Sequence, residues 1–357
     1  MPATAWAGKR VFLTGHTGFK GSWMALWLER LGARVVGFAL PADPDSLHRA
    51  AGLPGRFSET LGDIRDRALV RGAMERAEPD VVFHMAAQPL VRASYADPVA
   101  TFTTNVMGTV HVLEAVRTCP SVRASVIITT DKVYRAGASA AGNAEDDPLG
   151  GHDPYSASKA CAELVSSSYR ASFFDRADDP LIATARAGNV IGGGDWAEDR
   201  LVPDLVRAIL SGVPARIRAP HAIRPWQHVL EPLAGYLRLA ERLLARDRSY
   251  AVAWNFGPRS DELRSVADVA DAVVRHWGRG AVPWVNDTGI HPAETAILTL
   301  NPARAAERLD WQSRLSFDDS IKMTTDWYRS VAHGVDALAV THAQIADYEA
   351  LAHTSPV

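Results

Sequence analysis

Between Arg10 and Leu40 the chain reads as a short apolar run, "RVFLTG", then "HTGFKG", then a stretch with apolar residues at helical spacing, then a second apolar run, "RVVGFAL". Trp23, Leu26, Trp27 and Leu31 recur on one helical face, and Gly32 is a stop signal. A strand, a helix and a second strand in that order form a crossover unit, which pairs its two strands in parallel. Gly15, Gly18 and Gly21 sit in the first turn of this unit at GxxGxxG spacing. In that place Gly15 makes the tight turn, Gly18 lets backbone approach a pyrophosphate, and Gly21 lets helix and strand pack closely. The pyrophosphate then rests on the unpaired amides of the helix N-terminus.

The alternation repeats. "DRALVRGAMERAEP" reads as a helix, "DVVFHMAA" as a strand, "TTNVMGTVHVLEAVRT" as a helix and "ASVIITT" as a strand. A long helix opens on Pro154, and "LIATARAGNVIG" is a further strand and turn. This pattern predicts an α/β protein with a Rossmann-type, doubly wound parallel sheet covered on both faces. Right-handed crossovers put all strand C-termini on one edge, where ligands bind. After Arg186 the pattern loosens into loops rich in Arg, Trp and His. A helix, "EPLAGYLRLAERLLA", then leads to Ala253–Gly257, a short strand that can rejoin the sheet. The expected division is a dinucleotide-binding lobe of residues 1–185 and about 229–260. A smaller, partly interleaved substrate lobe takes residues 186–228 and 261–357. Arg135–Gly151 reads as a mobile loop.

Bulk properties remove other classes. A net charge of −3 advertises no nucleic-acid partner. Cys119 and Cys161 form no CxxC pair and are too few for a disulfide scaffold, which favours the cytosol. "MPATAWAGKR" lacks the apolar core of a signal peptide, and no run of about 18 apolar residues predicts a membrane span.

The cofactor side is incompletely specified. At the end of the second strand, where a ribose-binding acid is expected, stand Ala39 and Leu40, with Asp43 and Asp45 later and no arginine. The usual rule therefore does not choose between NAD and NADP. Asp63, in "GDIRD", can accept from an adenine amine or cap a helix. His84 lacks partners at metal-ligand spacing, so no metal is expected.

"PYSASKA" places Tyr155 and Lys159 four residues apart, on one helix face. A tyrosine with a pKa of about 10 is a poor base at neutral pH. A nearby ammonium favours the phenolate, which can take a proton from a sugar alcohol as hydride leaves its carbon.

Together the glycine turn, "HMAAQ" (His84–Gln88), Asn105 and YxxxK resemble an extended short-chain dehydrogenase/reductase of the epimerase/dehydratase family. Within it the chain is most similar to CDP-glucose 4,6-dehydratases, by "TGHTGFKGSW", "FHMAAQPLVRASY", "TNVMGTVHVLEA", "TTDKVY", "GGHDPYSASKACAELV", "RAGNVIGGGDWAEDRLVPD", "IRPWQHVLEPLAGYL" and "WNFGPR". Weaker similarity lies at "HPAE" (His291–Glu294). The resemblance implies NAD, contacted by Gly15, Thr17, Gly18, Phe19, Gly21, Asp63, Ile64, Ala86, Ala87, Asn105, Tyr155 and Lys159. It also implies a nucleotide-diphosphate sugar, with CDP-glucose first. The implied sequence is oxidation at carbon four, loss of water across carbons five and six, and hydride return to carbon six. A homodimer is implied through helices around Thr103–Thr118 and Ser156–Phe174, with a tetramer left open.

An epimerase needs only Tyr, Lys and Ser/Thr, whereas a dehydratase needs a further acid and base. "Thr130-Asp131-Lys132" supplies candidates side by side. By resemblance Thr130 bonds the carbon-four oxygen, Asp131 protonates the leaving hydroxyl, and Lys132 acts near carbon five. Related dTDP-sugar enzymes carry Asp-Glu here. The competing reading is a helix cap by Thr130 or Asp131, with Lys132 in solvent. Gln88, Asn189, Arg200, Arg224 and His228 are the substrate candidates. The two guanidinium forks suit a diphosphate and are the leading phosphate ligands, a surface salt bridge being the competing reading for each. Trp226 fits either a core or a cleft wall. The chain departs from the family in its loop after "DKVY", which has no aromatic residue, and at His152, where an aromatic is usual.

Overall fold

The computed structural model describes residues 5–135, 142–289 and 298–351. The motif at His291–Glu294 lies outside them, as do residues 136–141 of the loop expected at Arg135–Gly151. The strands of the sheet are β1 (Arg10–Thr14), β2 (Arg34–Ala39), β3 (Ser58–Leu61), β4 (Val81–His84), β5 (Ala124–Ile128), β6 (Leu181–Ala187) and β7 (Ala253–Phe256), and all but β3, the polar edge strand SETL, come from the apolar runs. They make one parallel sheet in the order β7-β6-β5-β4-β1-β2-β3. Strands β4, β5 and β6 are buried throughout, as strands covered on both faces must be.

Strand order reverses beside β1, so the C-terminal ends of β1 and β4 diverge into a crevice. Two apolar layers cover the sheet. One contains α1 (Phe19–Arg30) and, later in the chain, Leu230–Leu244. The other contains α2 (Arg67–Ala77) and α3 (Gly108–Thr118). The helix α4 (Pro154–Phe173) starts with proline at its first position, and Asp153 caps it by accepting from the Ser156 amide at 2.9 Å.

The helix expected from Thr103 to Thr118 is not uniform. Thr103–Met107 forms a π-helical turn ahead of α3, a wider turn often found at functional sites. Helix α5 (Leu201–Leu210) follows the loop Gly192–Trp196, α6 spans Leu230–Leu244, and α7 (Val266–Trp277), α8 (Phe317–Ala332) and α9 (Ala337–Leu351) complete the C-terminal part. Trp23 of α1 donates to the Gly193 carbonyl at 2.9 Å, and Tyr328 of α8 donates to that of Asp195, so the glycine loop is clamped between two helices. Among the described residues no helix is long and apolar enough to cross a membrane, and both cysteines are free thiols.

Candidate active site

The C-terminal edge of the sheet opens into a cleft of about 1310 Å³. Its glycine turn has the geometry that the spacing demands. Gly15 has φ +76, and a Cβ there would stand 2.8 Å from the Ala86 amide nitrogen. A Cβ on Gly21 would stand 2.0 Å from the Gly15 carbonyl oxygen, backbone against backbone. Gly18 caps α1 and is exposed, so its open side faces the cleft. The first-turn amides of α1 have no intrahelical acceptor and present a positive dipole end. Thr17 donates to the Leu40 carbonyl at 2.9 Å, and Phe19 packs against Gly192. This cradle suits a diphosphate.

Asp63 and Ile64 line the same cleft. Asp63 is not a helix cap: Asp66 caps α2, while Asp63 accepts from the Arg65 amide at 2.8 Å and its guanidinium at 2.6 Å. That guanidinium holds the Asp63 carboxyl below its ordinary value.

The loop after β4 is set by a chain of hydrogen bonds. Register places Thr14 opposite His84. The Thr14 hydroxyl accepts from the amides of Met85 and Ala86, so its own proton goes to His84 Nδ1 at 2.8 Å. His84 Nε2 then donates to Thr109, whose hydroxyl donates to the Asn105 carbonyl. Burial first, and then the Lys159 charge, lower His84 to a pKa of about 3. The ring is a neutral structural link. Asn105 does not line the cleft; its side chain accepts from the Gln88 amide and donates to Gln88 O and Ser158 Oγ. It positions the loop from behind rather than touching a ligand. The π-helical turn puts it there. Ala86 and Ala87 line the cleft, although the Ala86 amide is already used by Thr14.

After β5 the backbone turns so that Thr130, Asp131 and Lys132 line the cleft with Tyr155 and Lys159. Thr130 caps the short 3₁₀ turn and donates to Asp131 Oδ1 at 3.0 Å. Capping and cleft lining therefore coexist. Asp131 is buried, its Oδ2 has no hydrogen-bond partner, and Lys132 Nζ lies 3.9 Å from Oδ1. Burial raises Tyr155 to about 12, opposed by a hydrogen bond with Thr130 and by the Arg200 charge. Lys159 differs from expectation. Its ammonium donates to the Ile128 carbonyl at 3.0 Å, and burial lowers it to about 8, against the opposing charge of Glu163. The cation that favours the Tyr155 phenolate here is Arg200.

Behind this turn lies a buried ion pair absent from the sequence reading. Arg186 on β6 makes two bonds of 2.9 Å to Glu163 on α4, and also donates to Tyr134 Oη at 2.7 Å. Thr129 and Thr184 donate to the same carboxylate. The single clue was that charged residues interrupt "ACAELV" and "ATARAG" at core-facing positions. A second unforeseen residue is Lys20 of α1, whose Nζ donates to Tyr236 Oη at 3.2 Å and which lines the cleft.

On the opposite wall Asn189 lines the cleft with a buried, unpartnered Oδ1. Arg200 and Arg224 line it as well. Arg200 pairs with buried Asp195 at 2.7 Å, so its ion pair is inside the cleft rather than on the outer surface. Trp226 is both core and wall. The Gln88 side chain is engaged by Leu90 of its own loop and by Thr101 of the helix Pro98–Phe102. His228 does not reach the cleft. It is fully buried, stacked edge-on against Trp23 at 5.8 Å, and lowered to about 3 by burial. Its short strand, Gln227–His228, pairs with Val190–Ile191 and turns the ring inward.

A doubly wound sheet, a glycine turn and a helical Tyr–Lys pair facing one cleft define an extended short-chain dehydrogenase/reductase. The family model for GDP-mannose 4,6 dehydratase matches residues 12–324. A CDP-glucose 4,6-dehydratase of Salmonella typhimurium is 46% identical over 96% of this chain and 97% of its own. This chain thus belongs to the nucleotide-sugar 4,6-dehydratase family. Among solved structures, a Thermus thermophilus UDP-glucose 4-epimerase in complex with NAD is similar at TM-score 0.77 and 25% identity, over 90% of this chain and 99% of that one. A Bacillus anthracis dTDP-glucose 4,6-dehydratase in complex with NAD shares the fold, at TM-score 0.74 and 20% identity over 92% and 99%.

Proposed function

We propose that this protein is a NAD-dependent CDP-glucose 4,6-dehydratase producing CDP-4-keto-6-deoxyglucose. The observation that carries the substrate is the 46% identity, end to end, with the Salmonella enzyme of that activity. Residues of the glycine turn, with Asp63, Ile64, Lys159 and the loop after β4, would hold the dinucleotide. Bound NAD supplies a hydride acceptor for carbon four and a hydride donor for carbon six.

The chain's own groups handle the protons. Tyr155 takes the carbon-four hydroxyl proton, with Thr130 bonded to the same oxygen. A base with a conjugate acid near 12 is weak at neutral pH, so the charge of Arg200 and of a reoriented Lys159 must stabilise the phenolate when the cleft is filled. Once carbon four is a ketone, the proton on carbon five is acidic. A proton passed from Lys132 to Asp131 across the 3.9 Å between them leaves a neutral amine that removes the carbon-five proton and a carboxylic acid that protonates the hydroxyl leaving carbon six. Arg200, Arg224 and Asn189 hold the sugar diphosphate, each by donating hydrogen bonds.

The lobe division expected from the sequence is part of this proposal, as is a cytosolic location. So is a homodimer. Met107, Leu164 and Phe173 are exposed on the two helical segments expected to pair, and Val99 and Phe102 on the short helix just before the first. Sedimentation should give twice the chain mass; a monomer would refute it. Incubation with CDP-glucose and with dTDP-glucose tests the activity. The alkaline chromophore of a keto-deoxy sugar should form from CDP-glucose first; its absence with every nucleotide sugar would refute a dehydratase.

A further inference from the structure

Lys20 is misplaced by the ordinary rules of helix design. It sits in the first turn of α1, which has no acidic residue, where the helix dipole opposes a cation. Its half-buried side chain lies along the cleft wall, with the amine 5.2 Å over the Tyr236 ring and bonded to the Tyr236 hydroxyl. The charged and titratable groups that act on it come from four elements: Lys159 of α4, Arg200 before α5, Asp131 after β5, and Tyr236 of α6. Tyr155 of α4 couples in turn to Tyr236. Two of these neighbours are cations. The one carboxylate, Asp131, already serves Thr130 and Lys132. A cation placed against both a dipole and two like charges needs an anion that the protein does not itself supply.

We propose that Lys20 is a cofactor-positioning cation that swings from Tyr236 onto the diphosphate of the bound dinucleotide. The glycine turn places that diphosphate at the first turn of α1, which is where the Lys20 side chain originates. A lysine stem reaches from there either to Tyr236 or to an oxygen at the helix end. The inference rests on the reading that the cleft takes NAD.

One consequence separates this role from simple packing. Burial, and then Lys159 and Arg200, lower Lys20 to about 7, so near neutral pH it is only partly protonated when the cleft is open. A diphosphate beside it restores the full charge, so binding takes up a fraction of a proton. Calorimetric titration of the full-length chain with NAD at neutral pH, in two buffers of different ionisation enthalpy, reads this directly. Lys20→Met should lose that uptake and bind NAD roughly 10- to 100-fold more weakly, the worth of one charge-assisted bond. Lys20→Arg should restore affinity without proton uptake, because a guanidinium is always charged. Equal uptake in wild type and Lys20→Met would overturn the proposal, as would Lys20→Arg binding no better than Lys20→Met. The same titration with CDP should show no Lys20-dependent uptake. If the uptake appears there instead, the anion is the substrate's diphosphate and the assignment to the dinucleotide is wrong. If wild type does not bind NAD at all, the proposed function itself falls.

Discussion

Replacing Glu163 by Gln tests what holds the Thr130–Lys132 turn in place. The Glu163 carboxylate accepts two bonds from Arg186 and one each from Thr129 and Thr184, and both members of the ion pair are almost fully buried. Glutamine keeps the shape and removes the charge, leaving the Arg186 guanidinium buried without a counter-ion. Such losses cost about 3–5 kcal/mol. Unfolding entropy is about 2.1 cal/mol/K per residue. Taken as one cooperative unit, 357 residues then turn that loss into a fall in Tm of about 4–7 °C. Differential scanning calorimetry reads it. The pair Glu163→Leu with Arg186→Met should recover at least half of the loss, because removing both charges leaves neither stranded. If Glu163→Gln melts within 1 °C of wild type, or the double variant is worse than either single, the ion pair does not hold the turn as described.

Three further outcomes follow from the geometry. His84 and His228 are depressed from 6.5 to about 3, so their contribution is present above pH 6.5 and is lost as pH falls toward 3. Urea unfolding at pH 5 should show a loss of about 2 kcal/mol per ring relative to pH 7.5, and His228→Phe should remove one such share. Gly21→Ala drives a methyl into the Gly15 carbonyl, and should abolish NAD binding in a fluorescence titration while a Gly72→Ala control, whose added Cβ meets only the far end of the Arg76 side chain, does not. Lys132→Ala should bind NAD normally and still oxidise carbon four, accumulating reduced cofactor by absorbance, while Tyr155→Phe should stop before that signal. Unchanged turnover of Lys132→Ala would remove it from the elimination.

The inner strands were legible because each is an apolar run, and Val11, Phe12 and Leu13 behave as their pattern predicts, whereas the edge strand Ser58–Leu61 is polar and half-exposed and leaves no such mark. The glycine turn and the Tyr155–Lys159 pair were legible because both are local: their residues are fixed by a turn or by one helical repeat. What escaped was non-local. His228 looks like a cleft residue in "PWQHV", but only its pairing with Val190–Ile191 turns the ring into the core. Asn105 was found as a motif residue, yet its role behind the loop depends on a π-helical turn that the helical pattern conceals. The Glu163–Arg186 pair joins a helix to a strand, and no spacing rule reaches across that gap. Lys20 was hidden in plain view inside the glycine motif, where attention goes to the glycines.

In the proposed reaction one active site oxidises carbon four and returns the same hydride to carbon six. CDP-glucose carrying deuterium at carbon four, converted in ordinary water, tests it by mass spectrometry and proton NMR of the product. Deuterium is expected at carbon six of the 4-keto-6-deoxy sugar, with a solvent-derived proton at carbon five. Deuterium returned to carbon four of a hexose, or lost to solvent, would contradict it.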